Sequence, residues 1–134
     1  MSKTILIIDD DEIIRALLVR ALERAGYAAL TASAGSSGIE LFRASNPDLI
    51  VLDIAMPEMT GFEVASTIRT IEASDDLPRT PIVALTAYAR SFFLPLGTQA
   101  GIDSYLMKPI TPDQLVNHVN QFLTDPPSTP LDTV

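Results

Sequence analysis

The chain has 134 residues (14.5 kDa), of which 47% are apolar and 19% charged, with a mean hydropathy of +0.27; this fits one folding domain with one core and excludes a disordered chain. It contains no cysteine, which excludes disulfides, thiolate zinc sites and cysteine nucleophiles. Nine Lys and Arg stand against 17 Asp and Glu, for a formal charge of -8, so the basic surface that binds nucleic acid directly is missing.

Apolar runs alternate with helical patterns along the chain. None approaches the roughly 18 residues of a membrane span. The start, MSKTILIIDDDE, meets three aspartates too early for a signal peptide, so a cytoplasmic location is expected. Thr4 to Ile8 (TILII) predicts a strand buried on both faces, ending abruptly at Asp9, Asp10, Asp11 and Glu12. Ile13, Ile14, Leu17, Leu18, Ala21, Leu22 and Ala25 then follow helical spacing, and Gly26 stops that helix. Tyr27 to Ala32 predicts a short strand, and Ser36 to Ala44 a helix closed by Pro47. Leu49 to Leu52 predicts another buried strand, with Asp53 at its end and the loop IAMPEMTG behind it. Phe62, Ala65, Ile68 and Ile71 mark a helix to about Glu72, and Asp75 to Pro81 is a polar connection. Ile82 to Leu85 is a strand ending at Thr86, and Ser104 to Met107 a strand before Lys108 and Pro109. Thr111-Pro112-Asp113-Gln114 is a helix start, with Thr as cap, Pro at the first helical position and Gln three residues after the cap. Leu115, Val116, Val119, Phe122 and Leu123 form the inner face of that helix, and His118 beside Asn117 reads as an exposed helical residue rather than a ligand or base. The domain is expected over 1–123, with 124–134 (three prolines in TDPPSTPLDTV) as a disordered tail or the start of a linker.

Five strands alternating with helical segments predict an α/β fold, a parallel sheet with helices on both faces. In such sheets, sites form beyond the carboxyl ends of the strands. The ends here carry Asp9 and Asp10, Asp53, Thr86 and Lys108. Three carboxylates brought together repel, and one would hold a proton unless a cation intervened. A hard divalent ion with oxygen ligands answers that need, and Mg²⁺ suits one or two carboxylates, waters and a phosphate oxygen. Asp10 and Asp53 are candidate ligands, with Asp9 close behind and a backbone carbonyl just after Asp53, at Ala55, as a further one. Mn²⁺ is the alternative ion. Lys108 is a point charge able to pair with Asp53 or a phosphoryl oxygen, and Thr86 can donate a hydrogen bond to such an oxygen. An aspartate can carry a phosphoryl group as an acyl phosphate, and the transfer needs placement and charge neutralisation more than acid–base chemistry. Asp53 is the candidate nucleophile. An aspartate run at a strand-to-helix junction also serves simply as a helix cap, although Asp11 and Glu12 suffice for that without Asp9 or Asp10.

ILIIDDDE (5–12), LIVLDIAMPEMTGFE (49–63), PIVALTAYA (81–89) and GIDSYLMKPI (101–110), in this order, resemble the receiver domain of bacterial two-component response regulators, over about residues 3 to 123. The resemblance implies a doubly wound five-stranded sheet of order 2-1-3-4-5, the order of the chemotaxis member of this family. It also implies Asp53 as phosphoacceptor, receiving its phosphoryl group from a phosphohistidine on a sensor kinase or a histidine phosphotransfer protein. Asp9 and Asp10 match the acidic pair that organises Mg²⁺, Thr86 the hydroxyl that swings toward the phosphoryl group, and Tyr105 the aromatic switch behind it. Lys108 and Pro109 match the lysine and its cis proline, and Met56, Pro57 and Gly61 the loop after the acceptor. Phosphorylation would then alter the face made by the fourth helical segment, the fifth strand and the last helix, which a partner reads.

The chain departs from this pattern at ARSFFLPLGTQAG (89–101), where Pro95 and Gly97 predict an irregular fourth helix. Its cluster of Phe92, Phe93, Leu94 and Leu96 is either a repacked local core or a surface for a downstream protein or homodimer over residues 90–106. The other function considered is a phosphorylation-independent interaction module on the same fold; a stand-alone regulator, a relay intermediate and a piece of a larger regulator all remain open. A flavodoxin-like or dinucleotide binder is excluded by DDDE where a Gly-rich phosphate loop belongs. Two further positions tune phosphoryl lifetime in the family, here Ala55 and Tyr88. Ala55 offers no polar group to position water, whereas Tyr88 is bulky enough to shield an acyl phosphate. Tyr88→Glu is therefore expected to release phosphate faster than the parent, timed after charging with a small phosphodonor; an unchanged rate removes the shielding role.

Overall fold

The computed structural model describes residues 2–87 and 99–123. Five strands, β1 (Thr4–Ile8), β2 (Ala28–Ala32), β3 (Leu49–Asp53), β4 (Ile82–Thr86) and β5 (Ser104–Met107), form one parallel sheet in the order β2-β1-β3-β4-β5. Four helices accompany them among the described residues: α1 (Glu12–Arg24), α2 (Gly35–Ser45), α3 (Gly61–Ser74) and α4 (Pro112–Leu123). This is the parallel α/β sheet with helices on both faces that the alternating pattern predicts, in the doubly wound order that the resemblance implies.

Strand alternation divides the core in two. On one face Leu6, Ile8, Ile50, Leu52, Ile82 and Ala84 pack with Phe42 of α2 and with Val64, Ala65 and Ile68 of α3. On the other Ile5, Ile7, Leu49, Val51, Val83 and Leu85 pack with Leu18 and Leu22 of α1 and with Leu115 and Val119 of α4. The central strands β3 and β4 are buried at every residue, which is why they read as continuous apolar runs. The edge strands β2 and β5 are only half-buried.

Local chemistry sets the helix ends. The Asp11 side chain accepts from the Ile13 and Ile14 amides at 2.9 and 3.2 Å and caps α1. After α1, Gly26 takes φ 97°, and the Gly26 and Tyr27 amides close onto the carbonyls of Glu23 and Leu22, both at 3.0 Å. That closure uses the Tyr27 amide, so β2 begins at Ala28, one residue later than expected. Asn46 ends α2 in the left-handed region (φ 47°) ahead of Pro47. Thr60 and Glu63 form a reciprocal capping box on α3. Thr111 and Gln114 exchange the same pair of bonds before α4, at 3.0 and 3.1 Å, as their spacing predicts. The strands β3 and β4 run one residue further than expected, taking in Asp53 and Thr86. Most of the segment expected to be an irregular fourth helix lies outside the described residues; at its end, residues 99–100 are helical and Gly101 has φ 91°. The expected tail, 124–134, lies outside them as well.

One ionic hub on the amino-terminal edge of the sheet has no counterpart in the sequence pattern. The mostly buried Arg69 guanidinium donates to the Gly101 carbonyl (3.0 and 2.8 Å), to Glu72 Oε1, to the Thr80 carbonyl and to Asp103 Oδ2 (each 2.8 Å). Glu72 Oε2 accepts from the Thr80 amide at 2.7 Å, and Asp103 Oδ2 from the Ile82 amide at 2.8 Å. The hub thereby ties α3 to the entries of β4 and β5. Removing one partner of a buried ion pair strands the other charge and costs about 3–5 kcal/mol, whereas exposed pairs are worth under about 1 kcal/mol. Arg69→Met is expected to fall in the first range by urea denaturation. Arg79→Ala, at the exposed arginine that also pairs with Asp103, is expected to fall in the second. Equal costs would show that the hub contributes no more than a surface pair.

Candidate functional site

A parallel sheet delivers all its strand ends to one edge. Ile8 lies beside Leu52, Asp53 beside Leu85 and Thr86 beside Met107, so the ends of four strands are level to within a residue. Asp9 and Asp10 follow β1, Asp53 and Thr86 are the last residues of β3 and β4, and Lys108 follows β5. One carboxylate oxygen from each of Asp9, Asp10 and Asp53 lies within 4.8 Å of the others. Lys108 Nζ stands 3.3 Å from Asp53 Oδ1 and 3.6 Å from Asp9 Oδ2. Asp9 is fully buried (0%) and Asp53 almost so (2%), while Asp10 is exposed.

The loops hold this arrangement in place. Asp9 Oδ1 accepts from the Asp11 amide at 2.9 Å, and the Asp9 carbonyl accepts from Arg15 Nη1 at 2.8 Å. Asp53 Oδ1 accepts from the Ala55 amide at 3.2 Å. Behind Asp53 the chain turns back sharply, with the Gly61 amide donating to the Ile54 carbonyl at 3.0 Å. A Cβ at Gly61 would meet the Asp53 carbonyl at 2.7 Å and Ile54 Cα at 2.8 Å, so only glycine lets α3 start this close to the end of β3. Met56 is buried beneath the loop, and the Pro57 carbonyl accepts from the Met59 amide at 2.7 Å. The Lys108-Pro109 bond is cis, as the resemblance implies.

Thr86 is buried (3%) and follows Ile82 and Ala84 on the α2–α3 side of the sheet. Tyr105 is half-buried and packs on that same side, so the two residues expected to move together share a face. Tyr88 lies outside the described residues. His118, expected on an exposed face, is half-buried on α4, with Nε2 2.7 Å from Ser104 Oγ and its ring tilted against Phe122 at 5.6 Å. The periodicity of α4 marks its apolar stripe but does not show how closely β5 approaches beside it. Burial lowers the His118 pKa, favouring the neutral ring.

Electrostatically the cluster is under strain. Burial, and next the charge of Asp9, push the Asp53 carboxyl up to about 6, against the opposing pull of Lys108 and the Ala55 amide. Asp9 Oδ2 has no hydrogen-bond partner, although it is buried. One lysine faces three carboxylates, which leaves negative charge uncompensated. An orphaned buried oxygen among hard oxygen donors fits a small divalent cation such as Mg²⁺.

The response regulator receiver domain family matches residues 5–120. The chain belongs to the receiver-domain family. Receiver membership and the acidic trio together support a phosphoaccepting aspartate switch that catalyses its own phosphorylation. The receiver is 38% identical over 123 residues to the alkaline phosphatase synthesis transcriptional regulatory protein PhoP of Bacillus subtilis, covering 92% of this chain and 49% of that one. It is 30% identical to the polar-differentiation response regulator DivK of Brucella ovis, over 93% and 99% of the two chains. It thus spans about half the length of the first relative and nearly all of the second. Among solved structures, the chemotaxis protein CheY4 of Vibrio cholerae superposes with a TM-score of 0.85 at 29% identity, over 92% of this chain and all (100%) of that one. The receiver domain of Saccharomyces cerevisiae Ssk1, crystallised with the histidine phosphotransfer protein Ypd1, shares the fold with a TM-score of 0.84 at 24% identity, over 90% and 88% of the two chains. No helix among the described residues is long and apolar enough to cross a membrane.

The folded metal-free receiver holds the Asp53 proton more tightly than the unfolded chain does. Between the ordinary value of 3.8 and about 6 its stability therefore falls as pH rises, and above that range the ionised group is a standing cost. Asp53→Asn in a chelator is expected to gain about 1–2 kcal/mol over the parent at pH 7.5, with the gain shrinking toward pH 5. Urea titrations at the two pH values check this. A variant less stable than the parent at pH 7.5 would contradict it.

Proposed function

We propose that the receiver takes a phosphoryl group from a phosphohistidine onto Asp53, with Mg²⁺ (or Mn²⁺) held by Asp9, Asp10, Asp53 and the Ala55 backbone carbonyl. The observation that carries this reading is the buried Asp53 carboxylate with Lys108 at 3.3 Å, inside a carboxylate trio whose Asp9 Oδ2 has no hydrogen-bond partner. An Asp53 oxygen attacks phosphorus, the P–N bond to the imidazole breaks, and its electron pair leaves with the ring nitrogen. Asp53 becomes an acyl phosphate. When bound, the cation supplies charge neutralisation for the phosphoryl oxygens. Lys108 lies near enough to pair with Asp53 before transfer and with a phosphoryl oxygen after it. Thr86 turns its hydroxyl to another of those oxygens, and Tyr105 follows on the same side of the sheet. Ala55 and Tyr88 set the lifetime of the product. The added charge shifts the population between two arrangements of the β5–α4 face, which a downstream protein or a second copy reads over residues 90–106.

The donor is a histidine kinase or a histidine phosphotransfer protein. Leu17, 46% exposed, lines an apolar groove with Ile14, Leu18, Pro109 and Ile110 that reaches Lys108, and Ile13 on the same helix is 79% exposed. An apolar helix face seated there brings its histidine toward Asp53, and the Ssk1–Ypd1 pairing of a fold neighbour supports such a partner. We place the receiver, residues 1–123, in the cytoplasm, where nucleoside triphosphates charge such donors. Incubation with a small phosphodonor and Mg²⁺ is expected to add the mass of one phosphoryl group, and Asp53→Ala to abolish the gain. A folded, metal-loaded sample that stays unmodified would overturn the reading.

A further inference from the structure

Metal affinity depends on how firmly the ligand-bearing backbone is held, as well as on the ligands. The turn between β1 and α1 carries both Asp9 and Asp10, and three bonds fix Asp9 within it. Its amide donates to the Ala32 carbonyl of β2 at 3.1 Å, and its Oδ1 accepts from the Asp11 amide at 2.9 Å. Its carbonyl accepts from Arg15 Nη1 at 2.8 Å. The first two bonds use neighbouring backbone, whereas the third comes from a half-buried side chain in α1, six residues further on.

We propose that Arg15 is a positioning residue for the divalent cation, locking the β1–α1 turn through the Asp9 carbonyl so that the Asp9 and Asp10 carboxylates stay aimed at the site. This rests on the reading of the acidic trio as the Mg²⁺ site. The guanidinium bonds a main-chain carbonyl, so its role differs from that of Lys108, which neutralises carboxylates directly. A planar guanidinium directs its donors rigidly, which suits fixing a backbone oxygen. Charge considered alone gives the opposite sign. A cation beside a metal site repels the metal, so deleting it would tighten binding. If positioning dominates, deleting it weakens binding, because loss of a group that orients ligands typically costs about 10–100-fold in affinity.

The test is isothermal titration of Mg²⁺ into the metal-stripped parent, Arg15→Met and Arg15→Lys, each shown to be folded by circular dichroism. Arg15→Met is expected to bind about tenfold more weakly or worse. Arg15→Lys, which keeps a donor and the charge on a flexible stem, is expected to lie between the two. With a small phosphodonor, the Mg²⁺ concentration for half-maximal phosphorylation should rise by the same factor, while the rate at saturating Mg²⁺ stays near that of the parent. Unchanged or tighter Mg²⁺ binding in Arg15→Met would overturn the proposal and leave the metal site intact. So would a lysine variant as weak as the methionine one, which would point to a general loss of α1 packing. A parent that binds no Mg²⁺ would instead sink the reading of the site itself.

Discussion

Carboxylates repel one another, and the fold gathers three of them at one edge of a sheet. Everything particular to this receiver's chemistry follows from how that repulsion is held in check. Asp9 and Asp53 are withdrawn from water and pinned by the Asp11 and Ala55 amides. Lys108, brought in from the next strand but one, answers part of their charge. The part left over is a cost in the metal-free protein, and a cation at this edge would offset it.

The sheet makes the gathering unavoidable. With β1, β3, β4 and β5 parallel and in register, any polar residue placed at a strand's carboxyl end joins the others. The central strands β3 and β4 are buried on both faces, so the ends that carry Asp53 and Thr86 shift little relative to one another. Gly61 completes the geometry by letting α3 start against the Asp53 carbonyl. Even a methyl group there would press on the backbone that carries the acceptor.

The architecture and the acidic site are legible in the sequence because they depend on short signals. TILII, LIVL and IVAL are continuous apolar runs, and Asp9, Asp10, Asp53, Thr86 and Lys108 sit at the strand ends or just behind them. The two capping boxes at Thr60 and Thr111 are equally local, and the second follows from spacing alone. Arg69, Arg15 and His118 are not legible in this way. Their partners lie at Gly101 and Asp103, at a main-chain carbonyl, and on the facing strand. An arginine on a helix pattern looks the same whether it reaches water or a buried oxygen, so periodicity does not separate the cases. The β2 start departs from its pattern by one residue for a related reason. The Tyr27 amide is needed to finish α1, a demand visible only once Gly26 has turned.

The two ionic clusters at opposite edges of the sheet show which one does chemistry. At the amino edge, Glu72 and Asp103 have every carboxylate oxygen bonded, to Arg69, Arg79 or a backbone amide. Every one of those oxygens has a donor from the protein, and together the bonds fasten α3 to the entries of β4 and β5. At the carboxyl edge, the Asp9 Oδ2 oxygen is buried without a hydrogen bond, and Asp53 is held away from its ordinary ionisation. A fold that can satisfy four carboxylate oxygens at one edge has no structural need to leave one unsatisfied at the other. Under the proposed function that oxygen, which Lys108 approaches only to 3.6 Å, is a cation ligand, and the binding energy of the cation offsets the cost of burying it.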